Sequence, residues 1–141
     1  MLRSARVIHA GLAWALVVAV VVQVFLAGLA IANLGGNGDF GFHIAFGYTW
    51  VGLIALASLI SALVARPGRR HLLWVAAVFV DYIVQTLLPG LKSITPAIGA
   101  LHPVNALLLF GLAVIVARRA NALRSATSDG DSAMPAPRER G

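Results

Sequence analysis

The sequence predicts an all-α protein, a transmembrane up-down-up-down four-helix bundle with both termini cytoplasmic. Three observations carry that reading. Of the 141 residues, 60% are hydrophobic and only 11% charged, and the mean hydropathy is +0.88, far above a soluble globular domain. Four apolar stretches are long enough for a bilayer core of ~30 Å, which takes about 20 helical residues. Eight of the eleven Lys and Arg fall in three clusters beside those stretches, which is membrane-flank charge.

Because backbone polar groups in lipid must be satisfied within the segment, the stretches are helices despite their valine and isoleucine content. The first covers 7–32, after Arg3 and Arg6, and stops at the turn-rich "NLGGNGDFG". Its apolar run, with "AIA" at 30–32, is longer than that of a signal peptide, so a retained helix is expected. The second covers 43–65 and ends at "RPGRR"; the third covers 72–91 and runs into "PGLKSITP"; the fourth covers 98–117. Residues 1–120 form the helical domain, and 121–141, ending "SATSDGDSAMPAPRERG", are expected to be a disordered cytoplasmic tail. Orientation follows from charge. The N-terminus, the second loop (Arg66, Arg69, Arg70) and the C-terminal flank (Arg118, Arg119, Arg124) are basic, whereas the first loop has Asp39 and the third only Lys92.

Composition also excludes functions. The basic residues serve the membrane flanks, so no nucleic-acid partner is expected. With no cysteine there are no disulfides, thiolate metal sites, iron–sulfur clusters or covalently attached c-type haem, and redox chemistry would need a non-covalent cofactor. Phosphate-binding glycine loops, H-E-x-x-H and G-x-S-x-G are all missing, so no catalytic residue is assigned and enzymatic activity is left open.

The informative residues are polar ones inside the spans: Gln23, Asp81, Gln85, Asn105 and histidines 9, 43, 71 and 102. At about 1.5 Å per residue, Gln23 lies ~25 Å above Arg6, Gln85 ~22 Å above Arg70, His102 ~24 Å above Arg118 and His43 ~34 Å from Arg66. Four helices thus bring Gln23, His43, Gln85, His102 and Asn105 into the outer half of the bilayer. His43 and His102 begin down-going, diagonal helices, where two imidazoles can ligate one haem iron from both faces. Gly47 and Ala106 follow them by four residues and share their faces; Ala19, Ala27 and Ala30 flank Gln23. The helix dipole keeps a first-turn histidine neutral and ligand-competent. Interfacial placement or interhelical hydrogen bonding accounts for the same residues, with Pro103 near the start of its helix.

His9 and His71 open the two up-going helices, so every histidine opens a helix, at spacings of 34, 28 and 31 residues. They form a weaker second candidate site near the cytoplasmic face, beside Arg6 and Arg70. Asp81, ~16 Å above Arg70, is a candidate proton relay toward Gln85 or a polar link between helices. Trp14, Trp50 and Trp74 read as interfacial or packing aromatics.

The segments "VVQVFLAGLA", "FHIAFGY", "QTLLPGL" and "ALHPVNALLLFGLA" resemble a family of small bacterial four-helix membrane proteins of unknown function, over nearly the whole chain up to the tail. The L-H-P-x-N-A segment is the most specific part. That resemblance implies the fold, a bacterial inner-membrane location, and Gln23, His43, Gln85, His102 and Asn105 as motif positions. The layout is also similar to four-helix b-type cytochromes, which implies pairing of His43 with His102 and of His9 with His71. The leading expectation is a haem b electron-transfer protein, with quinol as donor and His43 and His102 as haem iron ligands. The alternatives are a non-enzymatic accessory subunit of a larger membrane complex, or a lipid- or quinone-binding protein; a homodimer fits either.

Overall fold

A computed structural model describes residues 2–132, with side chains through residue 126. Four long helices make up the fold, and no strand occurs among the described residues. We label them α1 (Leu2–Ala30), α2 (Gly41–Ala65), α3 (Arg69–Ser93) and α4 (Pro96–Ser132). All four are long and apolar enough to cross a membrane, and Val18, Phe25, Leu53, Ile60, Val80 and Leu107 face outward and exposed on them. This is a multi-pass membrane protein whose outer surface is lipid-compatible.

The helices form a ring in chain order, closed by the extensive packing of α1 on α4. The core is built from small side chains, among them Ala10, Ala13, Ala55, Ala62, Ala113, Ala117 and Ala120. In lipid, helix association depends on close packing, and alanine lets backbones approach. The connections are tight. Gly35 and Gly38 take positive φ in the first loop. Arg66 ends α2 in the left-handed conformation, φ 46°, and Pro67 and Gly68 turn the chain into α3.

Several boundaries depart from hydropathy. Starting at Leu2, α1 places His9 two turns inside the helix, and α4 starts at Pro96, so His102 is also internal and Pro103 lies within α4. Only His43 and His71 therefore sit in a first turn. Pro96 occupies the helix start instead, a position that needs no N–H. Further along, α4 continues past Ala117, so 121–132 are helical and not a disordered tail; 133–141 lie outside the described residues. Hydropathy marks where a chain leaves lipid, whereas Ala, Leu and Arg at 120–124 continue the helix beyond it.

The two hairpins repeat each other. "QVFLAGL" at 23–29 returns as "QTLLPGL" at 85–91, a shift of 62 that also maps His9 onto His71. The same shift maps buried Ala13, Leu16 and Val20 onto Val75, Val78 and Tyr82. In the second helices the histidines are 59 apart, yet buried Val51, Ala55, Ser58 and Ala62 map onto Leu109, Ala113, Val116 and Ala120 at 58. A π-helical segment, Gly47–Val51, absorbs the difference by carrying one extra residue. Tyr82 braces it, its hydroxyl donating to the Gly47 carbonyl at 3.2 Å.

Candidate functional site

The ring brings the four histidines together as two diagonal pairs, His9 with His71 between α1 and α3, and His43 with His102 between α2 and α4. We call the first pair proximal and the second distal, by distance from the chain termini.

At the distal pair each histidine is anchored by the glutamine of the preceding helix. His43 Nδ1 lies 3.0 Å from the Gln23 carbonyl, and His102 Nδ1 lies 3.0 Å from the Gln85 carbonyl. A carbonyl only accepts, so each Nδ1 carries the proton and each Nε2 holds the lone pair in the neutral ring. The Gln23 amide donates to the His43 carbonyl at 2.8 Å and approaches His43 Nε2 at 3.2 Å, while the Gln85 amide reaches His102 Nε2 only at 3.4 Å. The ring centroids are 6.1 Å apart and the planes cross at 80°. A Cβ on Gly47 would sit 2.6 Å from Gln23 Nε2, so a larger residue there would push the Gln23 amide from its present position.

Beyond the imidazoles the two halves differ. Asn105 donates to Gln85 Oε1 at 2.9 Å and approaches the Asp81 carbonyl at 3.5 Å. The repeat position of Asn105 is Phe46, and Gln23 Oε1 is buried without a partner. Asp81 Oδ2 is likewise buried without one. Asp81 therefore joins Gln85 through Asn105 and its own backbone carbonyl, and not by a direct side-chain bond.

The proximal pair forms a hydrogen-bonded chain. Ser61 Oγ–H donates to the Ser58 carbonyl at 2.9 Å, so its oxygen accepts from His9 Nδ1–H at 3.0 Å. His9 Nε2 then accepts from His71 Nε2–H at 2.8 Å, which leaves a lone pair on His71 Nδ1, buried without a partner. Sequence reasoning missed both Ser61 and Tyr82, and nothing in the sequence singles out Ser61. The repeat signal around Gln23 and Gln85 would have drawn attention to Tyr82, as the position where Val20 acquires a hydroxyl.

Two imidazoles binding one metal at bonds of about 2 Å hold their nitrogens ~4 Å apart and their centroids ~6 Å apart. The distal pair has that centroid spacing and anchored Nδ1 groups, so His43 and His102 would fit as the residues that hold a haem iron once the Gln23 and Gln85 amides, at 3.2 and 3.4 Å from the Nε2 atoms, move aside. The proximal Nε2 atoms, at 2.8 Å, are too close to admit a metal between them. No cluster of three or more His, Cys, Asp or Glu occurs among the described residues. Trp14 and Trp50 are exposed on the outer surface and Trp74 packs against the core. An apolar groove lined by Val22, Leu26, Phe42, Phe46 and Trp50 lies between α1 and the start of α2, and His43 is not among its lining residues.

Residues 23–91 match the model of a family of unknown function (DUF6220). That stretch holds Gln23, His43, His71, Asp81 and Gln85, while His102, Asn105 and the L-H-P-x-N-A segment lie outside it. No curated protein and no solved structure matches the chain. Over those 69 of its 141 residues, just under half, the chain is similar to a family of unknown function.

Proposed function

We propose that the protein is a haem b electron carrier of the bacterial cytoplasmic membrane, in which His43 and His102 would hold the iron. The observation that carries the reading is the matched pair of Nδ1–H bonds to the Gln23 and Gln85 carbonyls. They fix both tautomers and both ring orientations, and they raise the basicity of the opposite nitrogen. When bound, haem b supplies one-electron transfer at the iron. The chain's part is to present two neutral imidazoles, exclude water with an apolar ring of helices, and move the Gln23 and Gln85 amides off Nε2. Gly47 leaves the Gln23 amide its place beside His43. Clustered arginines at the terminal face support cytoplasmic termini, which puts the distal pair in the outer half of the bilayer. Quinol is the donor we favour, since the groove between α1 and the start of α2 is apolar.

Oxidised and reduced visible spectra of protein purified in detergent, produced with ample haem supply, test this. Soret and α bands are expected, and H43A and H102A should each abolish them. The absence of bands in wild type would refute the reading and favour an accessory subunit of a larger complex. The proposal is confined to one haem. H9A should leave haem per chain unchanged, and halving it would place a second haem at the proximal pair.

A further inference from the structure

At the terminal end of the bundle, Gly68, Arg69, Arg70 and His71 of the α2–α3 turn face Arg119 of α4 across a pocket of about 530 Å³. Three features of this pocket call for an anion. Gly68 provides no side-chain cap, so the first-turn N–H groups of the 19-residue α-helical part of α3 are directed out of the helix start without one. Arg119 Nε is buried without an acceptor. His71, only 3% exposed, lines the pocket with its Nε2 committed to His9. The only carboxylates with described side chains, Asp39 and Asp81, are not among its lining residues.

We propose that this pocket binds a phosphate group, supplied by the headgroup of an anionic phospholipid. The arginines give guanidinium donors and the helix start gives backbone N–H donors. Ala122 and Leu123 supply the apolar side against which a glycerol backbone rests. The pocket lies where helices leave the membrane, at headgroup level, and basic pockets between spans at that level hold acidic lipids. This inference does not rest on the haem reading, whose ligands lie at the other end of the bundle.

The test is lipid retention by native mass spectrometry, after reconstitution in nanodiscs containing phosphatidylcholine and phosphatidylglycerol. Wild type should keep phosphatidylglycerol in preference. Each arginine removed should weaken that about fivefold, in the surface variant R69Q/R70Q as well as in R119Q. Helical circular dichroism checks that both variants fold. Added inorganic phosphate separates the sources: if it displaces the lipid and itself remains bound, the phosphate site stands but its ligand is soluble. No preference for phosphatidylglycerol in wild type, or a preference unchanged in both variants, overturns the proposal.

Discussion

Deleting Thr49 should leave the distal histidine pair intact, although it removes a residue from the helix that carries His43. In α4, seven residues separate His102 from the buried Leu109; in α2, eight separate His43 from the buried Val51. At about 100° per residue, seven residues fall ~20° short of two turns, whereas eight overshoot by ~80°. An unbroken α-helix would thus swing His43 about 100° relative to its present setting, which at a side-chain radius of ~5–6 Å displaces the imidazole by roughly 8 Å. The π segment Gly47–Val51 prevents this. Without exposed Thr49, a plain α-helix puts His43 where His102 already stands relative to its own core stripe. One alanine inserted after Leu107 does the opposite, because Val20, the counterpart of Tyr82, has no hydroxyl to brace a new π segment. The chain has no cysteine, so H43C and H102C can be linked by a short bis-maleimide without background. Linking should persist in the Thr49 deletion and fail in the insertion, with haem absorbance following the same pattern in the histidine-bearing proteins. Loss of linking in the deletion, or its survival in the insertion, refutes the register argument.

Other outcomes follow from single contacts. A Cβ on Gly52 would lie 2.5 Å from the Tyr82 hydroxyl, so Gly52→Ala should cost about 1–3 kcal/mol in detergent unfolding. Tyr82→Phe alone should cost about 1 kcal/mol for its bond to Gly47, and in that background the Gly52→Ala cost should shrink to under about 1 kcal/mol. Arg66→Gly should raise stability by about 1 kcal/mol, since φ 46° favours glycine; the thermal midpoint measures it. Ser61→Ala removes the acceptor of His9 Nδ1–H and should cost about 1–3 kcal/mol without altering distal haem binding.

Sequence and structure agree where one physical constraint dominates. The four spans and their order follow from hydropathy and from the need to satisfy backbone groups in lipid, and both are present. His43 is different. Its estimated height of ~34 Å above Arg66 took Arg66 as level with Arg6, whereas the bond from His9 to Ser61 sets Arg66 about 3 Å farther out, and the extra residue of the π segment, a packing response invisible to local propensity, adds only ~1.5 Å. His43 in fact bonds to Gln23, level with it. The helix starts at Leu2 and Pro96 escaped for a related reason, since both lie beyond the strongly apolar windows that identify spans. The polar set itself was recoverable because polar residues in lipid are costly and few. Which atom of each histidine is engaged was not, because tautomers are set by backbone carbonyls on other helices.

Where the two repeats diverge, they divide the labour of the distal site. Both keep the histidine and the glutamine whose carbonyl anchors it, but only the second half has Asp81, Tyr82 and Asn105, where the first has Ala19, Val20 and Phe46. Gln85 Oε1 is held by Asn105, whereas Gln23 Oε1 is buried and unpaired. Its amide is tied instead to the His43 backbone, through which it must be released if Nε2 is to bind iron. Asn105→Leu tests this difference, for it leaves Gln85 Oε1 unpaired as Gln23 Oε1 is, at a cost of about 1–3 kcal/mol in stability. Because the bond from His102 Nδ1 is to the Gln85 backbone, both ligands should survive and haem should still bind. Its reduction potential should shift, since the polar surroundings of one axial ligand have changed. Loss of haem from Asn105→Leu would show instead that the Gln85 side chain, and not its carbonyl, positions His102.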